Sequence, residues 1–238
     1  MKPIYNRILL KLSGEALQVD KQSSGLDLNK IRNIVKEIAS IVNLGVEVGL
    51  VIGAGNIFRG ADLLPSGFNR VTADQMGILA TVINGLAMAD VFRDENIPVR
   101  VMSAIPILGL VETYNRLSAI ESLKKRNVVI FVAGSGNPLV TTDTAAALRG
   151  VEVNADIVFK ATKVDGVFAA DPLKNPKAEC YKSLKYDELI EQRLAVMDLN
   201  SIILCRDNQL PLRVFNMSKP GALQKILLGE QIGTFIGN

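Results

Sequence analysis

Apolar residues fall into two alternating rhythms along the chain. Short, nearly unbroken apolar runs read as buried strands: Ile8 to Leu12, Val46 to Ile52, Val99 to Met102, Val128 to Val132, Ile157 to Phe159, Leu212 to Phe215 and Thr234 to Ile236. Between them lie stretches whose apolar positions recur three and four residues apart. In the clearest, Leu28, Ile31, Ile34, Val35, Ile38, Ile41 and Val42 line one helical face behind Asp27, a capping residue, and Gly45 marks the stop. Further helices are expected over residues 72–93, 115–125, 144–148, 186–194, 199–206 and 221–228. Val128 to Val132 is apolar throughout, as suits a central parallel strand covered on both faces. Strands alternating with helices predict an α/β fold, a three-layer α/β/α sandwich around a mostly parallel sheet. After Lys163 the rhythm changes. Residues 164–167 read as a tight turn, and residues 170–178, rich in Pro, Lys and Asn, as an exposed hairpin and loop. No repeat or linker interrupts the chain, so one domain spanning residues 1–238 is expected, with the segment after Lys163 a lobe of its own.

Composition narrows the chemistry. The chain has 238 residues, 48% apolar and 21% charged, which is ordinary globular composition with length enough for a core. The net charge of +3 is too small to argue for nucleic acid but suits small phosphate-bearing ligands. Aromatic residues are 5% and tryptophan is absent, which weakens any reading based on base stacking along a single strand. The two cysteines, Cys180 and Cys205, are far apart; neither a disulfide framework nor a zinc site follows, and a reducing cytosol is the default. Met1 to Asn6 lacks the pattern of a signal peptide, and no apolar run approaches membrane-spanning length. There is no histidine, which excludes Ser-His-Asp triads, Cys-His dyads and histidine-ligated metals. Any catalysis must run on carboxylates, lysines, arginines, hydroxyls and backbone dipoles, with or without a hard cation.

Four glycine-bearing segments sit where strands end: Lys11-Leu12-Ser13-Gly14, Gly53-Ala54-Gly55-Asn56, Gly134-Ser135-Gly136-Asn137-Pro138 and Asp165-Gly166. Strand ends that converge on such loops make an anion-binding rim, because bare backbone N–H groups approach phosphate oxygens closely. Residues 53–60 hold G-x-G without the third position of the dinucleotide fingerprint, and without the Gly-Lys-Ser/Thr ending of a P-loop. Alone they are a tight turn; Arg59 beside them adds a fork of donors suited to an anion. Lys11 interrupts an apolar strand, so it needs a carboxylate, a ligand phosphate or an edge position open to solvent. Thr142 or Asp143 is placed to cap a helix, and Asp198 lies between two helical stretches where it also serves as a cap. Asp74, near the start of the long helix, suits the helix dipole or a ribose hydroxyl. Asp165 and Asp171 read as turn residues.

Together these segments resemble the bacterial UMP kinases of the amino-acid kinase superfamily. The matching stretches are residues 11–17, 53–60, 102–106, 136–138, 141–143, 160–167 and 214–216, and the resemblance runs over essentially the whole chain. It implies transfer of a phosphoryl group from MgATP to UMP, giving ADP and UDP in pyrimidine nucleotide synthesis. It also implies an amino-acid kinase-like fold, a hexamer built from dimers, a cytoplasmic setting, and GTP activation with UTP inhibition. Carried over by position, Lys11, Leu12, Ser13, Gly14, Gly55 and Arg59 would face the ATP phosphates. Thr162, Phe168 and Asp171 would hold the adenosine. Ala54, Asp74 and the run Ser135, Gly136, Asn137, Pro138, Leu139, Val140, Thr141 and Thr142 would hold UMP. Lys11, Arg59, Asp143 and Asp198 would form the catalytic set, with Asp143 orienting the lysine and a Mg²⁺ ion bound mainly through phosphates. The acceptor side would occupy roughly residues 1–160 and the ATP lobe the remainder.

The chain departs from the family pattern twice. Where relatives commonly read Gly-Gly-Gly-Asn, this chain has Ala54, which would cost about 1 kcal/mol or more at positive φ; a negative φ is expected. Val19 to Ser24, in the loop where relatives respond to GTP, has a polar composition of its own. Two rival readings remain on the same residues: a sister kinase acting on a carboxylate or carbamate, and a non-catalytic nucleotide- or oxyanion-binding protein.

Overall fold

The computed structural model describes residues 2–18, 25–58, 64–170, 175, 177–194 and 196–238. A nine-stranded sheet runs through them in the order β4-β3-β5-β2-β1-β6-β8-β9-β7. The strands are β1 (Arg7–Leu12), β2 (Glu47–Ile52), β3 (Val99–Ser103), β4 (Glu112–Thr113), β5 (Val128–Val132), β6 (Ile157–Thr162), β7 (Ser183–Lys185), β8 (Leu212–Asn216) and β9 (Thr234–Gly237). All neighbours are parallel except β8 and β9. Among the described residues, seven α-helices cover the faces: α1 (Leu28–Asn43), α2 (Arg70–Asp94), α3 (Arg116–Lys124), α4 (Thr142–Glu152), α5 (Tyr186–Glu191), α6 (Leu199–Asp207) and α7 (Ala222–Leu227).

Strand pleating divides the core in two. Ile8, Leu10 and Leu12 of β1 pack with α1, α2 and α7. Leu9 packs on the other face with α3, α4, α5 and α6. The sandwich is therefore the one the apolar rhythm predicts. Asp27 caps α1 by accepting from the N–H groups of Asn29 and Lys30, and Gly45 leaves it at φ +88°.

Helix α2 lies very close to the sheet. A Cβ at Gly85 would come within 2.3 Å of Val132 Cγ1 on β5, so only glycine allows this approach. An 18-residue window of α2 has a mean hydropathy of 1.4, so by length and composition α2 passes for a spanning helix, against the sequence expectation. Half of that window is buried inside the fold, where α2 packs on β3 and β5; the apolar composition serves the core.

Several boundaries differ from expectation. α2 begins at Arg70, where Asn69 caps it through the N–H of Val71. α4 begins at Thr142 rather than Thr144, and its cap is Thr141, not Thr142 or Asp143. Residues 164–166 bend rather than form the expected tight turn, and the antiparallel pairing that follows flanks the hairpin expected over residues 170–178. There Tyr181 N–H donates to Val167 O at 2.8 Å, and Ala169 N–H to Glu179 O at 3.0 Å. The short strands β4 and β7 have too few residues to carry a periodic signal.

Candidate active site

The parallel strands deliver their carboxyl ends to one edge, and the glycine loops gather there. A Cβ on Gly14 would stand 2.6 Å from Gly53 O, 2.6 Å from Asn56 Oδ1 and 2.7 Å from Gly55 N. The loops after β1 and β2 are thus in backbone contact, which is possible only because residue 14 has no side chain. A buried amide pair fixes the second loop. Asn84 of α2 donates to Gly53 O at 2.8 Å and exchanges hydrogen bonds with Asn56 at 2.8 and 2.9 Å. Ala54 does not adopt a positive φ, so its side chain is accommodated without strain and its N–H remains the group on offer.

At this edge Lys11 and Lys160 occupy the same register on adjacent strands β1 and β6. Pleating puts both on the face of Leu9 and Val158, which is the face of α4. Asp143, in the first turn of α4, reaches between them. Its Oδ1 lies 2.7 Å from Lys11 Nζ and its Oδ2 lies 2.7 Å from Lys160 Nζ. Lys160 also donates to Val196 O. The three side chains are only 12–15% exposed. Lys11 stands on a central strand, so the edge position that sequence left open is excluded. Burial pushes the Asp143 pKa up, but the charges and hydrogen bonds of the two lysines outweigh it and hold the carboxyl below its ordinary range. Burial, aided by repulsion from Lys11, draws the Lys160 ammonium below its usual value against the pull of Asp143.

Asp198 is the N-cap of α6, accepting from Ser201 N–H at 3.1 Å. It also takes the hydroxyls of Thr141 and Thr144, the latter at 2.8 Å. It therefore ties α6 to the first turn of α4, beside Asp143.

The segment after β5 is bent by a run of positive φ: Ala133 (+63°), Gly134 (+58°), Gly136 (+85°) and Leu139 (+66°). Ala133 N–H donates to Thr81 Oγ1 at 2.7 Å. Leu139 N–H donates to Asp74 Oδ2 at 2.9 Å. Strained conformations of non-glycine residues cluster at functional sites. Asp74 is thus joined to the very run that sequence grouped with it.

On the far side of Lys160, the Thr162 hydroxyl lies 2.7 Å from Val164 O and 3.1 Å from Phe215 O. Phe168 bridges to Cys180. Next to it opens a cavity of about 310 Å³, lined among others by Asp165, Cys180, Tyr181, Asn216 and Lys219. Hydrogen bonds from Lys219 and Asn216 hold the Asp165 carboxyl below its usual range. Arg59, Asp171 and the segment Val19 to Ser24 lie outside the described residues.

Sequence reasoning missed two members of this edge. Lys160 interrupts Ile157-Val158-Phe159 as Lys11 interrupts its own strand, so the signal that singled out one lysine was present for the other. Asn84, a polar residue inside an apolar helix, had no local signal for its partner.

Comparison with known proteins adds an independent observation. Residues 6–216 match the Amino acid kinase family. The chain is 54% identical over 237 residues to a uridylate kinase of Aliivibrio fischeri, covering 100% of this chain and 97% of that one. It is 55% identical over 235 residues to a uridylate kinase of Vibrio vulnificus, covering 99% and 97%. The crystal structure of a UMP kinase from Bacillus anthracis superposes with a TM-score of 0.95 at 43% identity, covering 98% of this chain and 96% of that one.

Proposed function

The chain belongs to the amino acid kinase family, and from that premise we infer that it phosphorylates UMP, moving the γ-phosphoryl group of ATP onto it to give ADP and UDP. The observation that carries this reading is the pair of buried lysines at one register, bridged by Asp143 beneath the glycine loops, in a chain that matches uridylate kinases from end to end.

The chemistry asks little of proton transfer. The second pKa of the acceptor phosphate is about 6, so at neutral pH it is mostly dianionic and needs no general base; a chain without histidine can do this work. What remains is to bring two polyanions together and to stabilise charge on the transferring group, which is positional and electrostatic work. Lys11 and Lys160 supply two ammonium groups that the protein fixes in advance, so no reorganisation is needed at the moment of transfer. Asp143 acts by placing them, and keeps one net positive charge on the cluster. Gly14 and Gly55 offer N–H groups to the donor phosphates, joined by Arg59.

No three carboxylate or thiol side chains gather into a cation cage among the described residues, and both oxygens of Asp143 already hold lysines. That donor set fits a Mg²⁺ ion held mainly by the phosphates, with Asp143 as the carboxylate nearest the lysines. When bound, the ion would neutralise charge on the phosphates.

The remaining assignments follow the same division. Thr162, Phe168 and Asp171 hold the adenosine, in the lobe after residue 160. Ala54, Asp74 and residues 135–142 hold UMP, with the N-terminus of α4 favouring its phosphate. Asp198 assists by fixing the start of α4. The protein assembles as a homohexamer, for which exposed Leu79 and Ile83 on α2 offer an apolar contact, and light scattering tests that order. GTP activation and UTP inhibition belong to the same reading, and titrating each nucleotide into the UDP-forming assay tests them. The free thiols of Cys180 and Cys205 suit the reducing cytoplasm.

The test is direct. Purified protein is given MgATP with UMP, CMP, glutamate, aspartate or carbamate. UDP formation is expected with UMP as the preferred acceptor. Turnover of a carboxylate or carbamate instead would move the chain to a sister activity, and nucleotide binding without turnover would leave a passive binder.

A further inference from the structure

Arg70 occupies a costly position. It is the first residue of α2, where a cation opposes the helix dipole, and that first turn holds no acid. Its partner is Asp74, four residues on, with Arg70 Nε 2.9 Å from Asp74 Oδ2. An acid-to-base order along a helix is the favourable one at this spacing, and this pair runs in reverse. Helix stability therefore gains less from it than from the opposite order. The same Oδ2 accepts the N–H of Leu139 at 2.9 Å, and Leu139 stands at φ +66°, a conformation that a leucine adopts only when held. Asp74 is mostly buried while Arg70 is half exposed. Among the described residues both donors use Oδ2, and Oδ1 carries no bond.

We propose that Arg70 is a positioning residue for the acceptor nucleotide: it fixes the Asp74 carboxylate so that one oxygen clasps Leu139 and the other is presented to a ribose hydroxyl. This rests on the reading of Asp74 as part of the UMP site. Arg70 makes the α2 terminus and the 133–141 segment one unit, so the hydroxyl acceptor and the strained loop are set together before the nucleotide arrives.

Steady-state kinetics of the full-length protein test it, with UMP or dUMP varied at saturating MgATP. In Arg70→Ala the KM for UMP is expected to rise about tenfold while that for ATP stays within about twofold. The preference for UMP over dUMP shrinks, because the lost alignment matters most to the acceptor with the extra hydroxyl. Arg70→Lys, which keeps a cation within reach of Asp74, recovers most of both. An unchanged KM for UMP, or equal losses for UMP, dUMP and ATP, would overturn the proposal. A second measurement needs no turnover. Amide exchange at Leu139 in the ligand-free protein is expected to quicken in Arg70→Ala, and unchanged protection would also overturn it. Wild-type protein that forms no UDP would instead sink the functional reading.

Discussion

Lys11 and Lys160 sit directly opposite each other on neighbouring parallel strands. Like charges so placed repel, and they are held together by a single carboxylate, Asp143, 2.7 Å from each. The arrangement is poor for stability and good for a polyanionic ligand, since the repulsion that the fold tolerates is relieved when phosphate arrives.

Either lysine should be indispensable to turnover. Lys11→Ala is expected to lower kcat at least about a hundredfold, on the scale of a lost electrostatic donor, and Lys160→Ala to do the same. Circular dichroism of both variants should stay native. Near-normal kcat in either would remove that lysine from the transfer step.

Asp143→Asn leaves two buried ammonium groups facing each other. Breaking a buried charge pair costs about 3–5 kcal/mol, so urea unfolding should register a loss of that order at neutral pH. The pH dependence follows from the lowered carboxyl pKa. Above the unfolded value of about 4 the native carboxylate is ionised and its contribution is complete. As pH falls through the native pKa, the proton binds and the contribution disappears. The stability gap between wild type and Asp143→Asn should therefore be flat between about pH 4 and neutrality, close below that range, and shrink again on the alkaline side, where Lys160, whose pKa is lowered, sheds its proton. A gap that persisted under acid conditions would show that the loss came from packing.

Contact between the first two glycine loops should be intolerant of a methyl group. In Gly14→Ala the new Cβ meets backbone atoms at 2.6–2.7 Å. Overpacking of this kind costs about 1–3 kcal/mol, and the loops that receive the donor phosphates would part. The KM for ATP should rise more than the KM for UMP. Asn84→Ala, which strips Gly53 O and Asn56 of their buried partner, should cost about 1–3 kcal/mol in thermal or urea unfolding.

Ala54→Gly tests the departure from the family's glycine run. Because Ala54 does not take a positive φ, glycine relieves no strain and adds freedom to the unfolded chain. The substitution should lower stability by about 0.4–1 kcal/mol. A gain in stability would reveal strain at that residue.

Much of this was legible along the chain. The apolar runs marked β1, β2, β3, β5, β6, β8 and β9, and the three-four spacing marked α1 with its Asp27 cap, because periodicity and capping are local properties. The glycine segments marked the edge, and Lys11 announced itself by breaking an apolar run. Lys160 breaks its run in the same way, but the resemblance that covers residues 160–167 gave it no role. Two-residue β4 and three-residue β7 were illegible, being stretches of strand made only by their neighbours.

By itself, then, the sequence determined the order of elements, the family and the residue types available for phosphate chemistry. Tertiary structure decided which of those residues meet. That Lys11 faces Lys160 depends on β1 and β6 becoming neighbours at one register across about 150 residues of chain. That Asp143 bridges them, Asn84 braces Gly53, and Asp74 clasps Leu139 depends on helices packed onto sheet faces. A periodic pattern states which face of an element is buried, but partners across the sheet are chosen by strand order, and strand order is a property of the closed core.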